Sequence, residues 1–394
     1  MNDDGDQKMF QEKLQQLREQ SLLRALRPVE SATGSSIHYG GREVILLSSN
    51  DYLGLTMHPE VVQAASMATE RYGTGSGASR LVSGTLPPHV QLETALAMFK
   101  GAEASLLFGA GYLANLSVIP TLIGSGGLIL ADRLCHASMI DACRLSQADF
   151  RVFRHGDCDH LESLLRNRTT DRPTLIITEG VFSMDGDLAP LPDLVSLAER
   201  YGAMLYVDDA HGTGIMGRTG RGTIEHFDLE RRIPFHMGTL SKALGSYGGF
   251  LVGTHELVQY VINTARSFMF TTALPPAVAA ASLAALTVLD REPERRARLW
   301  SNRQRFFDGL KGLGCTLPPT GSPILPVVLG DAASASTFAE RLLSHGVYAT
   351  AIRPPTVPDG TSRIRFTVTS EHTIDQIDQA LHALRLVIRE TGFV

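Results

Sequence analysis

Short, continuous apolar runs dominate the chain between residues 44 and 253, and they alternate with segments of helical periodicity. The runs that we predict to be strands are VILLSS, ASLLF, GLILAD, FRVFRH, TLIITEG, MLYVDDAH, PFHMGT and GGFLVG. Most of them are apolar throughout rather than alternating, which is typical of strands that are covered on both faces. The pattern therefore predicts an α/β fold with a mostly parallel sheet between helices.

The two ends of the chain have a different pattern. Residues 8–27 predict a polar amphipathic helix that Pro28 ends. After residue 275 a helical stretch leads to the strand candidates SPILPVVLG, GVYATAIR and RIRFTVTS, and a last helix starts at Thr373 with Gln376 completing a capping box. We expect an N-terminal helix and short segment over residues 1–45, a large domain over 46–285 and a smaller C-terminal α+β domain over 286–394.

Composition narrows the class of protein. The chain has 36 basic and 41 acidic residues, a net charge of −5 that favours neither nucleic acid nor an anionic membrane as partner. Its four cysteines form no Cys-x-x-Cys pair, which argues against a zinc site or a disulfide framework. Segment 275–289 is too short and too rich in alanine to span a bilayer, and the acidic N-terminus shows no signal peptide. We expect a cytoplasmic protein.

Polar residues end several of the apolar runs. They are Asn50, Asp132, Glu179 and, at the end of LYVDDAH, Asp208, Asp209 and His211. In an open parallel sheet the carboxyl ends of the strands meet along one edge, which is where ligands bind. Lys242 follows a further strand, so the sequence predicts a site at this edge.

The stretch LFGAGYLAN, residues 107–115, predicts a strand that runs through glycines into a helix. Gly109 and Gly111 would let the backbone approach an anion at the helix N-terminus. A tight strand-to-helix turn with no ligand explains the same residues. A dinucleotide fingerprint would have glycine where Ala114 stands, although Asp132 lies at about the right distance, so this motif alone leaves a nucleotide open.

The pair Asp208–Asp209 could suggest a metal site, but strand alternation sends the two side chains to opposite faces. A buried carboxylate at a strand end needs a cationic partner, and a protonated pyridine nitrogen is one. Lys242 stands in HMGTLSKALGSYGGF, a setting of small residues that suits a lysine meeting an aldehyde. The anion cradle, the buried aspartate and the isolated lysine together describe a site for pyridoxal 5′-phosphate (PLP).

At these residues the chain resembles the α-oxoamine synthases, a group of fold-type I PLP-dependent enzymes. The motifs that carry the resemblance are SSNDYLGL, GTGSGASRLVSGT, ADRLCHASMIDA, TEGVFSMDGDLAPL, VDDAHGTGIMG and GTLSKALG, and the likeness extends from residue 48 to the C-terminal helix. The segment AIRPPTVPDGTSRIRFT is similar to the branch of the group that works in biotin biosynthesis. Ser241 and Ala78 stand where glycine is usual, and neither departure removes a group that the chemistry needs.

The resemblance implies a role for each matching residue. Lys242 would hold the aldehyde of the cofactor and act as base and acid at the substrate Cα. Asp208 would pair with the pyridine nitrogen, His211 with the phenolic oxygen, and His136 would stack on the ring and touch substrate. Further implied cofactor contacts are Gly111, Tyr112, Ser183 and Thr239, with Thr271 and Thr272 from a partner subunit. The implied substrate contacts are Arg353, which would bind a carboxylate, with Asn50, Thr356 and Arg24.

The reaction that the resemblance implies is the decarboxylative condensation of L-alanine with a pimeloyl thioester, by a homodimer whose active site lies at the subunit interface. The acyl carrier, coenzyme A or a carrier protein, stays open. Three other readings also stay open: an α-oxoamine synthase with another amino acid or thioester, a nicotinamide-dependent oxidoreductase, and a PLP-binding regulator without catalysis.

Overall fold

The computed structural model describes residues 3–169 and 171–393. These residues form two compact units. The terminal unit contains the described residues of Met1–Ser49, Met184–Gly186 and Arg298–Val394. The central unit contains the described residues of Asn50–Ser183 and Asp187–Ala297.

The strands follow one another along the described chain as β1 (Ser31–Thr33), β2 (Ser36–Tyr39), β3 (Arg42–Leu46), β4 (Ala104–Phe108), β5 (Leu128–Asp132), β6 (Asp149–Phe153), β7 (Thr174–Glu179), β8 (Met204–Asp208), β9 (His236–Thr239), β10 (Gly249–Gly253), β11 (Ile324–Gly330), β12 (Val347–Tyr348), β13 (Thr350–Ile352) and β14 (Ser362–Thr367). The helices are α1 (Asp3–Glu19), α2 (Pro59–Tyr72), α3 (Pro87–Lys100), α4 (Gly111–Leu122), α5 (Ala137–Leu145), α6 (Cys158–Arg166), α7 (Leu191–Tyr201), α8 (Thr223–His226), α9 (His255–Thr264), α10 (Arg266–Met269), α11 (Pro276–Arg291), α12 (Glu294–Gly312), α13 (Ala332–Ser344) and α14 (Ile374–Thr391).

The central unit is built on a sheet of seven strands, counted over the described residues, in the order β4-β10-β9-β8-β7-β5-β6. The five strands β5 to β9 run parallel to one another, and β10 is antiparallel to both β9 and β4. Ile129 and Ile177 pack into the core on one face of this sheet, and Leu130 and Ile176 pack into the core on the other. The predicted mostly parallel sheet, covered on both faces, is confirmed.

The terminal unit has two smaller sheets, ordered β1-β2-β3-β12 and β11-β14-β13 in the part of the chain that the structure describes. Phe306 of α12 meets Phe366 of β14 edge-on, with ring centroids 5.5 Å apart, and both rings are buried. Thr373 and Gln376 form the predicted capping box at the start of α14. None of the helices in residues 3–169 and 171–393 combines the length and the apolar character that crossing a bilayer requires.

The N-terminal helix is shorter than predicted. α1 ends at Glu19 rather than at Pro28, because Ser21 has a left-handed backbone with φ of 56°. The Leu22 N–H then bonds back to the Leu17 carbonyl at 2.7 Å and closes the helix. The apolar residues after Ser21 continued the helical pattern in the sequence, but the backbone had already left it.

The run VILLSS forms a strand in a different sheet from the one we expected. Its strand, β3, pairs with β2 and β12 in the terminal unit. The prediction that Asn50 follows a strand of the central sheet is therefore wrong, although Asn50 itself belongs to the central unit. The domain boundaries predicted at residues 45/46 and 285/286 stay a prediction. Along the chain, the central unit begins after Ser49 and ends at Ala297.

Candidate active site

Lys242 lies in a tight turn between β9 and β10 of the central unit. The Leu240 N–H bonds to the Gly248 carbonyl at 2.9 Å, and the Gly245 N–H bonds to the Lys242 carbonyl at 2.9 Å. Gly245 has φ of +59°, and a Cβ there would lie 2.4 Å from the backbone nitrogen of Thr56. Only glycine fits this position, so the small residues fold the turn closely against the chain and leave the Lys242 side chain half-buried.

Asp208 ends β8 as a buried carboxylate that is held from two sides. Its Oδ2 accepts a hydrogen bond from Asn115 Nδ2 at 2.8 Å, and its Oδ1 accepts one from the Ala210 N–H at 3.0 Å. The Asn115 amide is itself fixed, because the Tyr206 hydroxyl donates to its Oδ1 at 2.9 Å. The result is an oriented acceptor at the strand end that can receive a cationic partner. We did not predict Asn115 or Tyr206; the available signal was an asparagine within the largely apolar start of α4.

His136 precedes α5 and connects to Asp208 through two side chains. Its Nδ1 lies 2.8 Å from Ser138 Oγ, and that oxygen accepts a hydrogen bond from Asn115 Nδ2 at 2.9 Å. Burial lowers the pKa of His136; the carboxylate of Asp208 opposes this change and the charge of Lys242 adds to it. The structure thus brings the predicted Lys242, Asp208 and His136 to one edge of the central sheet.

His211 follows β8 and is anchored by a tyrosine. Its Nδ1 lies 2.8 Å from the Tyr52 hydroxyl, and the two rings meet edge-on with centroids 6.1 Å apart. Both side chains are buried. Tyr52 belongs to the motif SSNDYLGL, but its role as the partner of His211 was not predicted. This contact fixes the orientation of the imidazole at the same strand end as Asp208.

Glu179 is a second buried carboxyl beside Asp208. The two residues are register partners on β7 and β8, and Glu179 Oε2 accepts a hydrogen bond from the Ser183 N–H at 3.2 Å. Burial raises the pKa of Glu179 well above its usual range, and the negative charge of Asp208 raises it further, although Lys242 opposes both. Through the hydrogen bond from the Ser183 N–H, Glu179 positions the backbone of Ser183, one of the predicted cofactor contacts.

The predicted anion cradle is the N-terminus of α4, which starts at Gly111. No acidic residue lies in its first turn. β10 runs directly beneath, since a Cβ on Gly249 would lie 2.7 Å from the Gly111 Cα. The Thr239 hydroxyl lies next to this end of the helix, 3.6 Å from where a Cβ on Gly111 would be, and it is 2.6 Å from Ser241 Oγ. Backbone N–H groups and two hydroxyls therefore gather where an anion can bind. Tyr112, the next residue, is 40% exposed, and its hydroxyl donates to Asp141.

Thr271 and Thr272 line a small cavity of the central unit together with Gly109 and Leu113. The Thr271 hydroxyl donates to the Ser267 carbonyl at 2.7 Å. Their contact with a partner subunit's cofactor stays a prediction.

Among the predicted substrate contacts, Arg24, Arg353 and Thr356 belong to the terminal unit and Asn50 to the central unit. Within the terminal unit, Arg353 Nη1 donates to the Ser21 carbonyl and, at 3.1 Å, to Ser336 Oγ. Arg24 donates to the Pro354 carbonyl at 2.8 Å, next to Arg353. A carboxylate that binds Arg353 would therefore replace a backbone carbonyl as its hydrogen-bond acceptor.

Asp209 has partners of its own, different from those of Asp208. Its Oδ2 accepts from Lys100 Nζ at 2.9 Å, and its Oδ1 accepts from the Thr223 hydroxyl at 2.7 Å. Lys100 also donates to Thr213 Oγ1 at 2.8 Å. No group of three or more His, Cys, Asp or Glu residues suited to a metal ion occurs in the described residues. The pair Asp208–Asp209 thus separates into a site carboxylate and half of a buried ion pair.

Comparisons with known proteins give consistent results over almost the whole chain. The family described as "Aminotransferase class I and II" matches residues 42–384. A relative from Geobacter sulfurreducens named 8-amino-7-oxononanoate synthase is 50% identical over 384 residues, which cover 97% of this chain and 98% of the relative.

Solved structures match as well. A serine palmitoyltransferase from S. paucimobilis with bound PLP and myriocin has a TM-score of 0.95 at 34% sequence identity, and all of both chains is covered. An 8-amino-7-oxononanoate synthase from Francisella tularensis has a TM-score of 0.77 at 30% identity, and the match covers 89% of this chain and 99% of that one.

Proposed function

The chain belongs to the aminotransferase class I and II family, and from that premise we propose that it is a PLP-dependent acyltransferase of biotin biosynthesis that makes 8-amino-7-oxononanoate. It condenses L-alanine with a pimeloyl thioester, and carbon dioxide and the free thiol carrier are released. The observation that carries this choice of reaction is the 50% identity, over nearly the full length of both chains, to a synthase of that name. The α-oxoamine synthase resemblance and the fold-type I architecture are confirmed.

The described residues fit PLP. The N-terminus of α4 offers N–H groups to a phosphate, and β10 approaches it closely, because a Cβ on Gly249 would lie 2.7 Å from the Gly111 Cα. Asp208 offers a buried, oriented carboxylate for a protonated ring nitrogen. We propose that Gly111, Tyr112, His136, Ser183, Asp208, His211, Thr239 and Lys242 hold the cofactor. When bound, PLP withdraws the electron pair that is left on the substrate Cα after a bond to that carbon breaks.

The residues of the site then divide the work. Lys242 would hold the aldehyde of the cofactor, and its amine would take the proton from the substrate Cα and return one. Asp208, oriented by Asn115, would keep the ring nitrogen protonated. His136 would cover the ring face, and His211, held by Tyr52, would donate to or accept from the ring oxygen.

Atoms and charge are conserved in the proposed condensation. The Cα–H bond of alanine breaks, Cα joins the thioester carbonyl carbon, and the C–S bond breaks with release of the thiol. The Cα–carboxylate bond then breaks with release of carbon dioxide, and Cα takes up a proton. The protein holds the reacting carbons together and excludes water from them.

Arg353 is our proposal for the residue that binds the substrate carboxylate, since its planar guanidinium matches a carboxylate with two parallel hydrogen bonds. Asn50, Thr356 and Arg24 are proposed to support substrate binding. We further propose a cytoplasmic homodimer in which Thr271 and Thr272 of one subunit contact the cofactor phosphate of the other. Fold-type I sites that span two subunits, as the resemblance implies, support this assembly.

A serine palmitoyltransferase-like activity is the second candidate. It is favoured by the TM-score of 0.95 to such an enzyme, although at 34% identity the sequence lies further from it than from the Geobacter sulfurreducens relative. The two activities differ in both the amino acid and the acyl chain.

Product analysis by mass spectrometry separates the two candidates. The PLP-loaded protein is supplied with L-alanine, glycine or L-serine, each with pimeloyl-CoA or palmitoyl-CoA, and carbon dioxide and free thiol are measured in parallel. We expect 8-amino-7-oxononanoate from alanine and pimeloyl-CoA at the highest kcat/KM. A higher kcat/KM with serine and palmitoyl-CoA would move the assignment to the second candidate.

A further inference from the structure

A charged triad lies beside two of the proposed cofactor contacts, wholly within the central unit. His155, which follows β6, places Nδ1 2.9 Å from Asp132 Oδ1 and Nε2 2.9 Å from Asp187 Oδ2. An ionised carboxylate only accepts hydrogen bonds, so both ring nitrogens donate and His155 is an imidazolium. Burial alone would lower the pKa of His155, but the hydrogen bonds and charges of Asp132 and Asp187 raise it to about 10.

Asp132 connects this triad to His136. It ends β5, and its carboxylate shapes the loop that follows: Oδ1 also accepts from the Leu134 N–H at 2.8 Å, and the Asp132 carbonyl accepts from the Cys135 N–H at 3.1 Å. The next residue is His136. A change in the position of the Asp132 carboxylate therefore moves the backbone that presents the His136 ring.

Asp187 connects the triad to Ser183. Its carbonyl accepts a hydrogen bond from the Phe182 N–H at 3.0 Å, directly before Ser183. The Phe182 ring is buried and meets the His155 ring edge-on, with centroids 4.4 Å apart. The imidazolium thus contacts the Ser183 segment twice, through the Asp187 carboxylate and through the Phe182 ring.

We propose that His155 is a positioning residue of the active site: its imidazolium ties the β5–α5 loop to the segment after β7 and so holds His136 and Ser183 in register for the cofactor. The charged groups that face it are Asp132 and Asp187. A neutral side chain would leave these two carboxylates without the positive charge between them, and their repulsion would move the loops apart. This inference rests on the proposed function, since it concerns the same cofactor site.

The test compares three variants with the wild-type protein. His155→Gln removes the charge, and His155→Arg keeps a positive charge with several donors. His345→Gln is the matched control, because His345 Nε2 forms the same type of bond, 2.9 Å from Glu390 Oε1, on the surface of the terminal unit. For each protein PLP is titrated into the apo-protein, and the visible circular dichroism of the bound cofactor, the Kd for PLP, kcat and the KM for L-alanine are measured.

We expect His155→Gln to raise the Kd for PLP about tenfold, the size of effect that the loss of supporting hydrogen bonds has at metal sites. The circular dichroism of the bound cofactor should also fall. His155→Arg should recover part of both, and His345→Gln should match the wild type. Thermal unfolding of each apo-protein records any general loss of stability.

A purely structural role gives a different result. If His155→Gln lowers only the unfolding temperature, with the Kd, the dichroism and kcat as in the wild type, the inference is overturned. Should His155→Gln fail to fold, Asp187→Asn at the more exposed end of the triad takes its place, with the same two outcomes. A wild-type protein that binds no PLP would overturn the proposed function and this inference together; a wild-type protein that binds PLP alongside an unchanged variant overturns the inference alone.

Discussion

Replacing Asn115 with leucine tests whether the carboxylate of Asp208 must be oriented for the site to work. Leucine has a similar size and suits the apolar helix α4, but it lacks the amide. The change removes the 2.8 Å hydrogen bond to Asp208 Oδ2 and the acceptor of the Tyr206 hydroxyl. The Ala210 N–H remains as the second contact of the carboxylate.

The size of the effect follows from what each lost contact does. A hydrogen bond to a charged group contributes about 1.5–3 kcal/mol, which corresponds to about a tenfold to hundredfold loss in kcat/KM. The Tyr206 hydroxyl is buried and loses its acceptor, which should lower the free energy of unfolding by about 1–3 kcal/mol. Function and stability should therefore both fall, and by comparable free energies.

The assay measures kcat/KM for L-alanine at saturating PLP, the Kd for PLP by fluorescence, and denaturant unfolding of the apo-protein. Asn263→Leu is the control, because Asn263 is an exposed asparagine of the same unit whose amide donates to the Gln259 carbonyl at 2.8 Å. It should change none of these values by more than a small factor. Asn115→Asp is a second variant of the same shape. It puts a carboxyl oxygen in place of the amide nitrogen that donates to Asp208 Oδ2.

The reasoning is refuted if Asn115→Leu and Asn115→Asp both fold and keep the wild-type kcat/KM and Kd for PLP. A loss of stability without a loss of function would mean that Asn115 supports only the core, and that the orientation of Asp208 comes from elsewhere.

Three further changes have distinct expected outcomes. Gly245→Ala should weaken PLP binding and lower the stability more than Gly202→Ala does, as measured by PLP titration and thermal unfolding. Both glycines have φ of +59°, but of the two positions only residue 245 would bring a Cβ against backbone atoms. Lys100→Met should lower the free energy of unfolding of the apo-protein by about 3–5 kcal/mol, because it leaves the buried Asp209 carboxylate without its cation, and a loss under about 1 kcal/mol in denaturant unfolding would contradict this. Folding raises the pKa of His155 from 6.5 to about 10. The protonated His155 should therefore stabilise the fold fully below pH 6.5 and lose this effect as the pH rises through about 10. The difference in unfolding free energy between the wild type and His155→Gln should shrink between these two pH values.

The central sheet could be predicted because its strands are covered on both faces and are apolar along their length. β5 and β7 are buried from end to end, so their sequences carry the signal without help from their neighbours. The same reasoning could not tell which sheet a strand joins, and VILLSS was assigned to the wrong one. Pairing partners depend on distant parts of the chain, such as β12 for β3.

The polar strand ends could be found for the same reason, since Asp208 interrupts an apolar run. The residues that orient it could not be found this way. Asn115 and Asp208 are 93 positions apart, and Lys100 and Asp209 are 109 apart, so no local pattern joins them. The roles of the individual site residues came from the resemblance and remain predictions that the variants above test.

The most direct test of the central claim is to identify the lysine that holds the cofactor. The protein is loaded with PLP, reduced with borohydride and digested, and the pyridoxyl-labelled peptide is sequenced by mass spectrometry. We predict the label on Lys242, in the turn between β9 and β10, and its disappearance in Lys242→Ala. A label on another lysine such as the buried Lys100, or no labelled peptide at all, would contradict the account.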